Sequence, residues 1–262
     1  MNDRPLHWSL RLAAAAALVF LMLPVVVVVF ASFSATAYLT IPPQGWTLRW
    51  FAQALGDPTY LAAIVFSLEL AVAATVVAAL LAIPACYALH HRWIPFGEAI
   101  ASFVMSPLVF PAVVIGVALL QYMSALGLRG NFAVLTLAHV VIVTPYIVRT
   151  ALAGLSGLDP ALEEAARVLG ASRLSAFMLV ALPLMRMSLL AGFIFAFITS
   201  FDEASVTLFL LPPGQATLPV TIFSAIDLGV DPSIAAISTL LIVATIVLLA
   251  LAERLGGARR LL

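Results

Sequence analysis

The chain has 262 residues, 64% of them hydrophobic and 9% charged, with a mean hydropathy of +1.18. A soluble domain is about 45–50% apolar and about 25% charged, so the composition points to a polytopic membrane protein. Twelve basic and twelve acidic residues cancel to zero, which offers no footprint for nucleic acid. Every basic residue is arginine, which excludes a Walker A phosphate loop and a Schiff-base lysine. The one cysteine, Cys86, can close no internal disulfide.

Crossing a bilayer takes about 20 apolar residues. Six runs reach that length: 10–33, 60–89, 100–123, 132–150, 187–211 and 234–252. The second is long enough to predict tilt or protrusion. Arg4 and Arg11 before the first run, with Ala35-Thr36-Ala37 after it, have the layout of a cleaved signal peptide. The core of such a signal spans only about 7–15 residues, so the longer run here favours an uncleaved anchor. Pro24, Pro84, Pro107, Pro111 and Pro145 fall inside spans. Pro107 and Pro111, one turn apart, predict a kinked third span. Packing and a flexible pore-lining helix both remain open for it.

Arginine placement orients the chain. Arg4, Arg11, Arg92, Arg149, Arg167, Arg173, Arg186, Arg254, Arg259 and Arg260 fall on one side, and Arg49 and Arg129 on the other. Both termini are therefore expected in the cytoplasm. The turn 90–97 and the long loop 151–186 lie inside. The segments 34–59, 126–131 and 212–233 lie outside.

The loop 151–186 carries the densest pattern. Asp159 suits an N-cap and Pro160 the first helical position. Glu163 and Glu164 follow near the positive end of the helix dipole. Leu162, Ala165, Ala166 and Leu169 form an apolar stripe at helical spacing. Gly170 suits the left-handed residue that ends a helix. Ser172 can cap a second short helix that Leu182-Pro183 would close. Two acids at the head of the first helix fit a protein partner better than an anionic lipid surface.

Glu164-Ala165-Ala166, then Gly170 six residues after Glu164, then Leu182-Pro183 resemble the EAA loop. That loop marks the membrane subunits of bacterial binding-protein-dependent ABC importers. Val180 stands where the family has isoleucine. The likeness covers roughly 60–255. Phe66-Ser67-Leu68 with Ala71 and Thr75, Pro107-Leu108-Val109-Phe110-Pro111 and Thr144-Pro145-Tyr146-Ile147-Val148-Arg149 resemble the family's second to fourth spans. Ser200-Phe201-Asp202-Glu203 with Thr217-Leu218-Pro219-Val220 resembles the spermidine/putrescine subgroup. The first span is family-like only in position and length.

The resemblance implies an all-α, multi-pass protein of the bacterial inner membrane with the type I ABC importer permease fold. Residues 1–59 would form a first helix and an external loop, 60–255 the importer transmembrane domain, and 256–262 a cytoplasmic tail. Glu163, Glu164, Ala165, Ala166, Gly170, Ala171, Leu182 and Pro183 would couple the chain to a separate cytoplasmic ABC ATPase. That ATPase, and not this chain, would bind ATP and magnesium and do the catalysis. A second permease subunit, in this subgroup a different chain, and an extracytoplasmic solute-binding protein would complete the importer.

Glu69, Asp202 and Glu203 fall within spans, where a charge costs about 2.5–3.5 kcal/mol. They are candidates to line a route for a small cationic solute such as putrescine or spermidine. Hydrogen bonding to neighbouring helices is the alternative. On one helix Asp202 and Glu203 would point about 100° apart. Gly154-Leu155-Ser156-Gly157 with His139 has the form of an intramembrane protease motif, but Ser156 falls at a span edge. His90-His91 lacks the further ligands a metal needs, and His139 reads as a packed polar contact. A self-sufficient ion-coupled transporter or channel is the competing function. It accounts for the buried acids but not for the paired loop helices, and no inverted repeat supports it.

Overall fold

The computed structural model describes residues 8–36, 42–228 and 232–257. Arg4, Ala37, Arg259 and Arg260 lie outside them, as do 258–262 of the expected tail. The described residues are helical apart from one isolated antiparallel bridge, Ser34 to Trp46. They fall into two compact units. One takes in Met1–Leu61 and Ile222–Ala244, the other Ala62–Thr221 and Thr245–Leu262.

In the first unit, α1 (Trp8–Ser32) carries exposed apolar side chains along its length, and Pro24 lies inside it. The segment after it is folded, not open loop. Thr47 N–H donates to the Phe33 carbonyl at 2.9 Å, and Gly45 turns the chain at φ +86°. Trp50 on α2 (Arg49–Gly56) donates from Nε1 to the Ser34 carbonyl at 2.7 Å, beneath the Arg49 guanidinium 4.2 Å from its ring.

Helix α3 (Pro58–His90) continues from this unit into the second. Its 33 residues span about 50 Å, well beyond a hydrocarbon core of about 30 Å. Next come α4 (Gly97–Met105), a 3₁₀ turn Ser106–Leu108 and α5 (Ala112–Ala125). The kink expected at Pro107 and Pro111 is in fact a break of 102°. Pro111 lacks an N–H, and it disfavours helical backbone at Phe110. Helix α6 (Phe132–Ser156) starts on Asn131, whose side chain accepts from Ala133 N–H. It runs beyond the expected end at 150, so the following loop is shorter than 151–186.

That loop holds α7 (Pro160–Val168), α8 (Arg173–Ala176), a π turn Phe177–Ala181 and α9 (Leu182–Leu184). Pro183 does not close the second helix. The chain stays helical through Leu184 and bends by 73° at Met185 into α10 (Arg186–Asp202). The π turn widens the helix just ahead of a proline that cannot donate. The expected run 187–211 ends at Asp202 and is followed by the short α11 (Thr207–Leu210). The expected loop 212–233 contains α12 (Leu218–Leu228), and α13 (Pro232–Gly257) closes the described chain. Among the described residues, four helices are long and apolar enough to cross a membrane, or up to six if each bent pair is one span.

In the second unit α6 is the most enclosed helix. Ala74, Ala78, Ala82 and Cys86 recur every four residues on α3 and share a core with Val143, Ile147, Ala151 and Leu155 of α6. Small side chains let membrane helices approach closely. Helices α6 and α10 also meet at glycine. A Cβ added at Gly192 would collide with Thr150 Oγ1 and fall 3.4 Å from Ile147 Cα. Gly192→Ala is therefore expected to cost about 1–3 kcal/mol through overpacking. Thermal unfolding in detergent checks this, and Thr150→Ala in the same chain should restore part of the loss.

Candidate functional site

Two places gather the polar side chains that the sequence singles out. The first is the α7–α8 loop. The Asp159 side chain accepts from Ala161 N–H at 3.0 Å and fixes the start of α7. At its end Gly170 has φ +95°, and Ala171 N–H reaches back to the Ala166 carbonyl at 3.0 Å. That pairing is the Schellman closure a glycine permits. The Ser172 hydroxyl then accepts from Ser175 N–H and starts α8. Both caps and the turn lie where the sequence predicts.

The apolar stripe does not bury itself. Leu162 is 47% exposed and Leu169 89%, beside Val168 at 86%. Ala165 and Glu164 are exposed as well. Glu163, grouped by sequence with the coupling residues, turns toward α3. Its Oε2 accepts the Tyr87 hydroxyl at 2.7 Å and lies 3.2 Å from His91 Nε2, with its side chain 14% exposed. Tyr87 was not legible as a site residue, because 76 positions separate it from its partner.

The second place is the break after α10. Asp202 ends the helix, and Glu203 leaves it in extended conformation at ψ 109°. The two acids therefore do not share a helix, and the 100° divergence does not apply. Glu203 Oε1 accepts from Val206 N–H at 2.9 Å, and the Thr207 hydroxyl donates to the Glu203 carbonyl at 2.6 Å. His139 closes the network from α6, with Nε2 2.9 Å from Thr207 Oγ1 and Nδ1 2.8 Å from Ser200 Oγ. The Thr207 proton is committed to the Glu203 carbonyl, so His139 Nε2 donates to Thr207 and Nδ1 accepts from Ser200. His139 is fully buried, a packed polar contact as expected.

Asp202 and Glu69 are exposed, and among the described residues no hydrogen bond or ion pair engages either carboxylate. Glu69 shares an α3 face with exposed Val65, Val72 and Val76. A pocket of about 230 Å³ opens between α3 and α10, lined by Val72, Thr75, Val76, Phe193, Ile194 and Phe197. Among the described residues the Thr75 hydroxyl there is buried without a partner.

The protease pattern does not assemble. Ser156 donates to the Ala153 carbonyl, while His139 lies about 25 Å away along the same helix. Among the described residues no group of three or more His, Cys, Asp or Glu side chains could hold a metal.

Comparison with known proteins decides the family. Residues 91–258 match the model of the binding-protein-dependent transport system inner membrane component. The chain belongs to that family. It is 34% identical over 234 residues to the putrescine transport system permease protein PotI of Escherichia coli K12, covering 85% of this chain and 82% of the relative. It is 30% identical over 233 residues to the spermidine/putrescine transport system permease protein PotC of the same organism, covering 87% and 86%. In fold it is similar to a chain of a bacterial ABC transporter involved in the import of alginate, with TM-score 0.75, 16% identity and coverage of 97% and 98%. The protein is thus a multi-pass inner-membrane permease of a binding-protein-dependent ABC importer. Permeases of this family are not themselves catalysts and carry no cofactor; ATP is bound by the ATPase partner. Family membership displaces the self-sufficient ion-coupled transporter.

The staple at the α10 break yields a test. His139→Leu leaves the Ser200 hydroxyl without its acceptor in an apolar interior, at about 1–3 kcal/mol for the unsatisfied group, while Thr207 keeps its bond to the Glu203 carbonyl. Thermal unfolding of the purified permease should show the loss, and a Tm equal to that of the unaltered chain would refute the staple.

Proposed function

We propose that the chain is one of two permease subunits of an ATP-driven importer for a small polyamine of the putrescine–spermidine class, its partner permease being a different chain. On this reading six spans cross the membrane as a type I importer permease, the fourth and fifth joined by a cytoplasmic coupling loop. Both termini are cytoplasmic. The importer domain covers 60–255, after a first helix and external loop over 1–59. An extracytoplasmic binding protein delivers the solute, and the ATPase docks on the α7–Gly170–α8 turn.

The observation that carries the coupling role is that turn. It is capped at both helix starts and closed by a left-handed glycine, yet it leaves Glu164, Val168 and Leu169 without cover from the chain. Apolar side chains at such exposure need a partner surface. Glu164, Ala165, Ala166, Gly170 and Ala171 form the docking side, with Leu182 and Pro183 leading into the bend at Met185. Gly170→Val places a β-branched residue at φ +95°, a conformation strained by about 1–3 kcal/mol. The assembled importer should keep hydrolysing ATP but lose at least about tenfold in uptake, since about 1.4 kcal/mol is a factor of ten. Unaltered uptake would count against the coupling loop.

The polyamine assignment draws support from the likeness to PotI and PotC and from two acids, Glu69 on α3 and Asp202 at the end of α10. Unpaired carboxylates at membrane depth suit a cationic solute. Asp202→Asn removes one charge without disturbing any bond seen here. Glu203→Gln keeps an oxygen that can accept from Val206 N–H, so it tests charge apart from the cap. Putrescine uptake by the reconstituted importer should fall by about an order of magnitude in Asp202→Asn. Normal uptake with normal assembly in both variants would sink the cation route.

A further inference from the structure

Helix α3 has no covalent link to the coupling loop, which joins only α6 and α10. Near its His90 end, Tyr87 joins this helix to the loop by a hydrogen bond and by ring packing, beside His91, which lies 3.2 Å from the same Glu163 carboxylate. Tyr87 is buried at 6% exposure. Its hydroxyl donates to Glu163 on α7 at 2.7 Å. Its ring packs on Phe177 of the π turn at 4.6 Å. His91 lies edge-on to the same ring at 4.4 Å, and Trp93 at 5.5 Å. The Arg173 guanidinium of α8 then covers Trp93 at 5.2 Å. Tyr87 therefore touches the loop on both sides of Gly170, by a hydrogen bond on one and by ring packing on the other.

The bond to Glu163 is the directional part. The packing of Phe177 and Trp93 on the Tyr87 ring is less directional than a hydrogen bond. A phenol proton on a carboxylate oxygen is charge-assisted and holds one geometry. Adjacent residues on α7 diverge by about 100°, so this bond fixes the azimuth at which Glu164 is presented. The same bond ties rotation of α7 to displacement of α3, the helix that bears Glu69 and Thr75.

We propose that Tyr87 and Glu163 form a latch through which the coupling loop drives α3. Tyr87 is a positioning residue, acting on transport through Glu163. The proposal rests on the coupling role of the α7–α8 loop. Without the latch, ATP-driven movement of the loop still reaches α6 and α10 through the backbone but loses its grip on α3. Hydrolysis then continues with fewer solute molecules moved per ATP.

The test uses the complete importer in proteoliposomes, with this chain, its permease and ATPase partners and the binding protein, and putrescine as the probe. The readout is putrescine imported per ATP hydrolysed. Tyr87→Phe keeps the ring and removes the hydroxyl. Glu163→Ala removes the acceptor and keeps the helix. Each should lower the ratio about fivefold, within the range of coupling energies between sites, and the pair together should lower it no further. Glu163→Gln, whose amide oxygen still accepts the phenol proton, should keep most of the ratio. A residue that served stability alone would lower complex yield and leave the ratio intact. If the unaltered importer imports in a binding-protein-stimulated, ATP-dependent way and Tyr87→Phe and Glu163→Ala keep its ratio, the latch is overturned alone. If the unaltered importer hydrolyses no ATP on stimulation, the coupling role falls and the latch with it.

Discussion

Hydrocarbon offers a broken backbone no water, so each interruption of a membrane helix must find its hydrogen bonds inside the protein. The interruption after α10 is where this constraint is met most fully. Glu203 leaves the helix and spends its side chain on Val206 N–H, while Thr207 returns a proton to the Glu203 carbonyl. His139 binds both flanks of the gap at once. This repair leaves Asp202 at a helix end with its carboxylate unengaged among the described residues. An acid can be left free at this helix end because its neighbour has satisfied the backbone.

The same division recurs at the α7–α8 loop, where adjacent acids again differ in what they touch. Glu163 turns inward to Tyr87, and Glu164 remains exposed. On a helix the divergence of neighbours enforces this separation. After α10 it comes instead from the change of backbone at Glu203. In each pair one acid holds the local geometry, and on the proposed reading the other is left for a partner or a solute. Replacing either pair as a unit would therefore confuse structure with function.

Features set by local chemistry were legible in the sequence. The caps at Asp159 and Ser172, the left-handed turn at Gly170 and the long apolar runs depend on residues within a few positions, and the structure has them. The prolines at 107 and 111 gave the place of a bend but not its 102°, because the angle is set by what the two halves pack on. The division of the run 187–211 at Asp202 was hidden. Its composition stays apolar, and the residue that staples it, His139, is 61 positions from Ser200 and 68 from Thr207. Tyr87 was hidden for the same reason. The 11-residue α12 was missed because a window sized for a bilayer span averages it into its polar flanks.

A permease that alternates access needs parts that move together and parts that yield. Helices α6 and α10 belong to the first kind, since Gly192 leaves no space against Thr150 and Ile147. At Pro111 and at Met185 the helical path bends instead, by 102° and 73°. The coupling loop runs from the end of α6 to the bend at Met185, so a force on α7 reaches that rigid pair along the backbone. It reaches α3 only across side chains. Apolar contacts there can slip, because dispersion has no preferred direction. A single charge-assisted hydrogen bond can transmit both push and rotation. On the proposed reading, the inward glutamate of the loop is thus as necessary to transport as the outward one, although only the outward one could ever touch the ATPase.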